Sequence, residues 1–139
     1  MTQDMPTLRT LDDLAALVEG REDLYVRWSK GPDEDAAEAS KDALTGVELP
    51  GLSANPLAVE PWWEDRPVRL WVARRLYDYR HLRELRGPDV RAWVLAGREQ
   101  GRGPDNEPLV TCDEAVAWIA DEALAECEQL VGDWGPLSR

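Results

Sequence analysis

Three side chains in this 139-residue chain have types and an order that could do chemistry: Arg27, Ser53 and Glu107, with Asp105 two residues before the glutamate. A guanidinium can pair with an anionic group, and a carboxylate can stabilise developing positive charge. Each also has an ordinary structural reading. Arg27 could pair with the acidic stretch that follows it, Ser53 could be a turn hydroxyl, and Glu107 a solvated acid at a strand end. Other chemistries have less to work with. His81 is the single histidine, so any Ser/His/Asp or Cys/His catalysis would have to run through it, and on a charged helix it reads as a solvent-facing side chain. His81 and Glu84 stand one helical turn apart, yet no second cluster completes a metal shell. Gly101-Arg102-Gly103 is too short to count as a phosphate-binding loop. Cys112 and Cys127 form neither a C-x-x-C pair nor a disulfide framework, which predicts a reduced, cytoplasmic setting.

The elements that would position these groups follow from periodicity. Thr10 with Asp13 reads as a helix N-cap, and Leu11, Leu14, Ala15, Leu17 and Val18 recur at helical spacing until Gly20. Leu24, Val26 and Trp28 alternate with Tyr25, Arg27 and Ser29, the period of a half-buried strand with Arg27 on its polar face. Residues 30–45 are acidic and poor in large apolar groups, which predicts a mobile loop. Pro67 suits a first helical turn, and Val68, Trp71, Val72, Leu76, Tyr79 and Leu82 lie along one arc to about Leu85, before Gly87 and Pro88. A strand over Val68 to Val72 fits the same residues locally. Arg91 to Arg98, Glu107 to Thr111 and Val116 to Ile119 read as three short strands, and a second amphipathic helix starts at Asp121. Helix, strand, loop, helix, strands, helix is an α+β order: one domain with a mainly antiparallel sheet flanked by N-terminal, central Arg-rich and C-terminal helices.

One segment fits neither period. Gly46 to Trp63, GVELPGLSANPLAVEPWW, is apolar and aromatic, and Pro50, Pro56 and Pro61 stiffen it, so it is expected to form a shaped surface. Seven Trp and three Tyr with no Phe suggest half-buried rings lining a groove.

The formal net charge of −12 argues against electrostatic binding to nucleic acid or anionic membrane. That average hides segregation. Residues 66–91 hold eight of the sixteen cations against three acids, a local +5, leaving −17 on the remainder. Internal pairing with acidic neighbours is one explanation, and an anion-binding face is the other. The N-terminus lacks a basic region followed by an apolar stretch, and no window approaches the roughly twenty apolar residues of a membrane-spanning helix.

The order Arg27, Ser53, Glu107 resembles the Arg, Ser, Glu order of ADP-ribosyltransferase folds. In that family the Arg anchors the phosphate or ribose of the dinucleotide, and the Ser lies on a strand framing the nicotinamide pocket. The Glu holds a ribose hydroxyl and stabilises an oxocarbenium-like transition state. Gly101-Arg102-Gly103 ahead of Asp105-Asn106-Glu107 resembles the loop before that family's catalytic Glu. The resemblance implies Glu107 as the catalytic residue and Arg27 and Ser53 in a dinucleotide site. The residues themselves then suggest one pocket, formed by the Pro-rich segment, Arg27 and the 101–107 turn, that binds NAD or another anionic nucleotide, with Arg102 helping Arg27 to pair with phosphate and Trp62 or Trp63 stacking on a base or nicotinamide. The chain departs from the pattern in carrying Ser53-Ala54-Asn55-Pro56 where the family has Ser-Thr-Ser or something near it. Asp105 likewise stands where Gln or Glu often helps choose the acceptor.

Over nearly the full length, LYVRWSKGPD, TGVELPGLSANPLAVEPWW, RLYDYRHLREL and GREQGRGPDNEPLV are similar to an uncharacterised family of short actinobacterial proteins known as a domain of unknown function. That likeness implies a cytoplasmic bacterial protein and supplies no activity. Two further readings fit the residues: a non-enzymatic module that binds a protein partner through exposed Trp and Arg side chains, and an acidic mimic of nucleic acid.

Overall fold

Ala92 to Gly97 are buried at every position, which a strand allows only when both of its faces are covered. A computed structural model, describing residues 5–32, 52–64, 66–79, 89–102 and 108–134, shows what covers them. The element order is β1 (Thr7–Leu8), α1 (Leu11–Val18), β2 (Leu24–Ser29), β3 (Leu52–Ser53), β4 (Asn55–Pro56), a 3-10 turn (Pro61–Trp63), α2 (Val68–Tyr79), β5 (Arg91–Arg102), β6 (Pro108–Ile119) and α3 (Asp121–Trp134). This is the expected α+β class.

Three helices cover one face. Ala92, Val94 and Ala96 of β5 join Leu24, Val26 and Trp28 of β2 in a core with Leu11, Leu14 and Val18 of α1, Trp71, Val72 and Leu76 of α2, and Ala123 and Cys127 of α3. The helices also hold one another. The Glu126 carboxylate on α3 accepts the Leu11 N–H at 2.9 Å, satisfying a donor that the start of α1 would otherwise leave unpaired. Thr10 Oγ1 caps the same turn by accepting from Asp13 N. Gly20 leaves the helix at a φ of 80°, a conformation that suits glycine at a helix end.

The second face curls over its own core of Trp93, Leu95, Val110, Ala54 and Met5, with Tyr25 and Trp118 at its margin. The sheet runs β1-β6-β5-β2-β4, antiparallel apart from β1 beside β6, and β3 pairs with β6. Residues 52–56 therefore make a strap between two strands that are not neighbours. Leu52 and Ser53 pair with Val110 and Leu109, and Asn55 and Pro56 pair with Val26 and Tyr25. Buried Ala54 lies at the crossing, its N–H donated to the Pro108 carbonyl. Pro56 sits where no donor is needed, on an edge.

Several expectations need correction. The strands expected at Glu107 to Thr111 and Val116 to Ile119 are not separate: Pro108 to Ile119 is one twelve-residue strand, β6, and Glu107 lies outside the described residues. Asp113 and Val116 are each an extra residue against β5, and Gln100 is an extra residue in β5 against β6, so the alternation is broken and the strand reads as fragments. β5 extends past Arg98 to Arg102. β1 has only two residues and no readable period. The polar face assigned to β2 belongs to the second core: Ser29 is buried, and its Oγ accepts the Trp93 indole N–H at 2.8 Å and the Gly31 N–H at 3.2 Å. Trp28, Trp63, Trp71 and Trp93 are buried rather than half-exposed, because a chain without Phe fills its core with indoles. The acidic stretch from Asp33, the continuation of α2 past Tyr79, and His81 lie outside the described residues.

Candidate interaction surface

Residues 46–51 of the irregular segment lie outside the described residues, and of the rest Glu60 to Trp63, with Glu64 directly after, forms a surface. Pro61 fixes φ at the start of a single 3-10 turn, in which Trp63 N–H reaches the Glu60 carbonyl at 3.0 Å and Glu64 N–H the Pro61 carbonyl at 3.1 Å. Glu64 ends the turn at φ 59° and ψ −133°, the one described residue other than glycine with positive φ. A side chain is strained there, and such strain persists where the surroundings over-determine it.

Those surroundings are aromatic. Trp63 and Trp71 meet edge to face at 5.3 Å and 68°. Trp62 meets both, Trp63 at 5.8 Å and 82° and Trp71 at 5.4 Å and 60°. All three indole N–H groups are engaged: Trp71 with the Leu57 carbonyl at 3.0 Å, Trp63 with the Pro67 carbonyl at 3.1 Å, and Trp62 with Glu60 Oε1 at 3.2 Å. The other Glu60 oxygen pairs with Arg75, whose guanidinium lies 4.3 Å from the Trp71 ring centre. Trp63 and Trp71 are buried, while Trp62 remains 56% exposed, the one large apolar side chain so exposed among the described residues.

Arg66 completes the arrangement. Its guanidinium lies 4.7 Å from the Trp63 ring centre and 5.8 Å from that of Trp62, within the range of cation–π attraction. Nε donates to the Trp63 carbonyl at 3.1 Å and Nη2 to the Trp62 carbonyl at 3.2 Å. One fork of the group is thus pinned to the turn, and the outer Nη1/Nη2 fork meets no carboxylate among the described residues. Most other arginines here behave differently: Arg69 pairs with Asp12, Arg74 with Asp78, Arg21 with Asp23, and Arg98 with Asp113. For the described part of α2, the cationic run is largely compensated inside the fold.

The residues suggested by the sequence fall as follows. Arg27 stands opposite Trp93 in the register, on the strand face that carries the second core. Ser53 pairs with Leu109, and Arg102 pairs with Pro108 at the end of the β5–β6 hairpin where the two strands are connected, and it also meets Glu99 at 3.4 Å. Ser53 and Arg102 are thus brought to one end of β6. Trp62 and Trp63 lie on the other side of the sheet, against α2, and the structure does not bring them together with Arg27. Glu107 and Asp105 lie outside the described residues. Sequence reasoning misses Trp71, Glu60, Arg66 and Arg75 as members of the Trp surface. Glu60-Pro61-Trp62-Trp63 is the available signal for the first half, and Arg66 registers in the sequence only as charge.

Electrostatics elsewhere are ordinary. The Arg21 hydrogen bond holds the Asp23 carboxyl below the usual aspartate value, and burial raises the Tyr25 phenol. Burial pushes the Cys127 thiol up to about 12, with Glu126 and Glu128 adding to the effect, so this sulfur is no nucleophile. Among the described residues no group of His, Cys, Asp and Glu could hold a metal ion, and no helix is long and apolar enough to cross a membrane.

Compared with known proteins, residues 1–138 match the model of a family described as Family of unknown function (DUF6098). No curated protein and no solved structure matches the chain.

Proposed function

Since the chain belongs to the DUF6098 family, whose description assigns no activity, we propose from the geometry of its surface that it is a non-enzymatic protein-interaction module presenting Trp62 and Arg66 to a protein partner. The observation that carries this reading is the half-exposed Trp62 ring held at both edges by fixed indoles. Trp and Arg are the side chains most enriched at interface hot spots. A ring already locked by its neighbours, and a guanidinium already pinned to two carbonyls, lose little conformational freedom on binding, which leaves more of their contact energy as affinity.

The test places a photoreactive benzophenone amino acid at position 62 and, as a control, at exposed Ala125 on α3. Illumination in the source cells is followed by mass spectrometry. Discrete adducts to a protein chain at 62 and not at 125 are expected; equal labelling at both positions overturns the reading. Calorimetric titration with NAD is expected to give only heat of dilution. A saturating isotherm weakened by Arg27→Ala would instead favour the transferase-like reading.

A further inference from the structure

We infer that residues 52–57 are a latch on the Trp62 face: the strap opens and closes within the folded protein, and its closing sets the position of that ring. The inference rests on the reading of the Trp62 face as a contact surface and names what regulates it. It is carried by one chain of contacts running from the sheet to the exposed indole. Ala54 N–H reaches the Pro108 carbonyl on β6 at 3.2 Å, and Leu57 N–H reaches the Leu24 carbonyl on β2 at 2.9 Å. The Leu57 carbonyl in turn accepts the Trp71 indole N–H at 3.0 Å, and Trp71 meets Trp62 at 5.4 Å. Leu57 thus gives its N–H to the sheet and its carbonyl to the Trp cluster.

The strap is held to the sheet by little. Each of its strands pairs over two residues, whereas β2 pairs with β5 over six. Pro56 is exposed and has no N–H for the ladder. Ala54 is buried in the second core but contributes a single methyl group, and Leu52 is only partly buried there. Leu57 differs, because its side chain is fully buried in the first core with residues of all three helices. Segments with few buried apolar contacts open locally at a lower free energy than the whole fold. The strap therefore lifts between Leu52 and Pro56 and turns about Leu57, which re-aims the carbonyl that orients Trp71. Trp71 is one of the two rings that fix Trp62, so an open strap leaves Trp62 less well placed. The link is reciprocal, as a coupling free energy between two sites must be. A partner that clamps Trp62 against Trp71 draws the strap closed, and a closed strap holds Trp62 in its binding position.

Native-state hydrogen exchange on the full chain, with no partner present, tests the latch. Trp62→Ala is expected to speed exchange of the Ala54 and Leu57 amides about threefold or more. The Trp118 and Ala120 amides donate to Pro6 and Leu8, on or beside the equally short β1, and are expected to be unchanged. In the reverse direction, fluorotryptophan is placed at position 62 and, as a control, at buried Trp28. Ala54→Gly is expected to shift or broaden the fluorine resonance at 62 and to leave that at 28 as in wild type. Strap amides indifferent to Trp62→Ala, equal speeding at the β1-linked amides, or a resonance at 62 unmoved by Ala54→Gly each overturn the inference. The benzophenone experiment is read separately. Absence of specific adducts at position 62 sinks the contact surface and leaves the latch to the exchange data, whereas specific adducts with unaltered strap exchange keep the surface and sink the latch.

Discussion

Glu64 sits at φ 59° and ψ −133°, where its side chain adds strain that glycine would not. The residue is exposed, so trimming it uncovers nothing buried. Glu64→Gly is therefore expected to stabilise the fold by up to about 1 kcal/mol, less the greater entropy of an unfolded glycine. Thermal melts check it; a clear fall in Tm contradicts the strained geometry. Cys127 supplies a pH dependence of definite sign. Its folded pKa of about 12 lies above the ordinary 9.0, so the unfolded thiol loses its proton first as pH rises. The stabilisation is complete below 9.0 and is lost on the way to about 12. Within that window stability falls by about 1.4 kcal/mol per pH unit, the free energy of one proton's difference in binding. Tyr25, also raised, adds to the alkaline loss. Denaturant melts of Cys127→Ala are expected to show a shallower fall above 9.0 than wild type, and parallel curves would remove the thiol from the account.

At the level of elements, α1, β2, α3 and the start of α2 are legible in the sequence because each has an uninterrupted period and an identifiable first turn. Thr10, Pro67 and the alternation of Leu24, Val26 and Trp28 are enough to place them. The β5–β6 hairpin is legible only in part. Its bulges at Gln100, Asp113 and Val116 change which residues share a face, and a period-of-two reading stops at each one. Gly97 lies between two of these irregularities, and a Cβ added there would collide with the Thr111 carbonyl oxygen. That oxygen belongs to the paired strand and cannot swing aside. Gly97→Ala is expected to cost about 3 kcal/mol or more, read as a drop in the denaturant midpoint. Gly101→Ala, with nothing within 4 Å, should cost far less. Equal effects at the two sites would refute the close approach. The aromatic surface is the least legible part, since Trp71 joins Trp62 and Trp63 only through the docking of α2, and a one-dimensional pattern cannot show which rings share an edge.

The whole molecule is strongly acidic, with a net charge of −12. That charge repels itself most in the compact state, while the surface ion pairs of the fold oppose the effect only locally. Screening weakens the long-range term most. Raising ionic strength from about 0.01 M to about 0.15 M is therefore expected to raise the Tm, because the Debye length falls from roughly 30 Å to roughly 8 Å. Thermal melts at the two salt concentrations check the sign, and a Tm that falls with salt would mean that the ion pairs outweigh the global repulsion.

The strap at residues 52–56 bears on the order in which the chain folds. β5 and β6 are joined by a short connection and can zip early, whereas Leu52 must find Val110 and Asn55 must find Val26 across long stretches of chain. The entropy of that closure is repaid only once the curl exists. Docking of the strap then belongs after the rate-limiting step. Weakening it with Ala54→Gly should leave the refolding rate nearly unchanged and speed unfolding, a φ-value near zero in stopped-flow chevrons, while Val94→Ala in the hairpin should slow refolding. The strap continues directly through Leu57, whose carbonyl holds Trp71, into Trp62 and Trp63. The binding face is on that account assembled last and released first, and the lifetime of any complex formed there is bounded by how long the sheet stays closed.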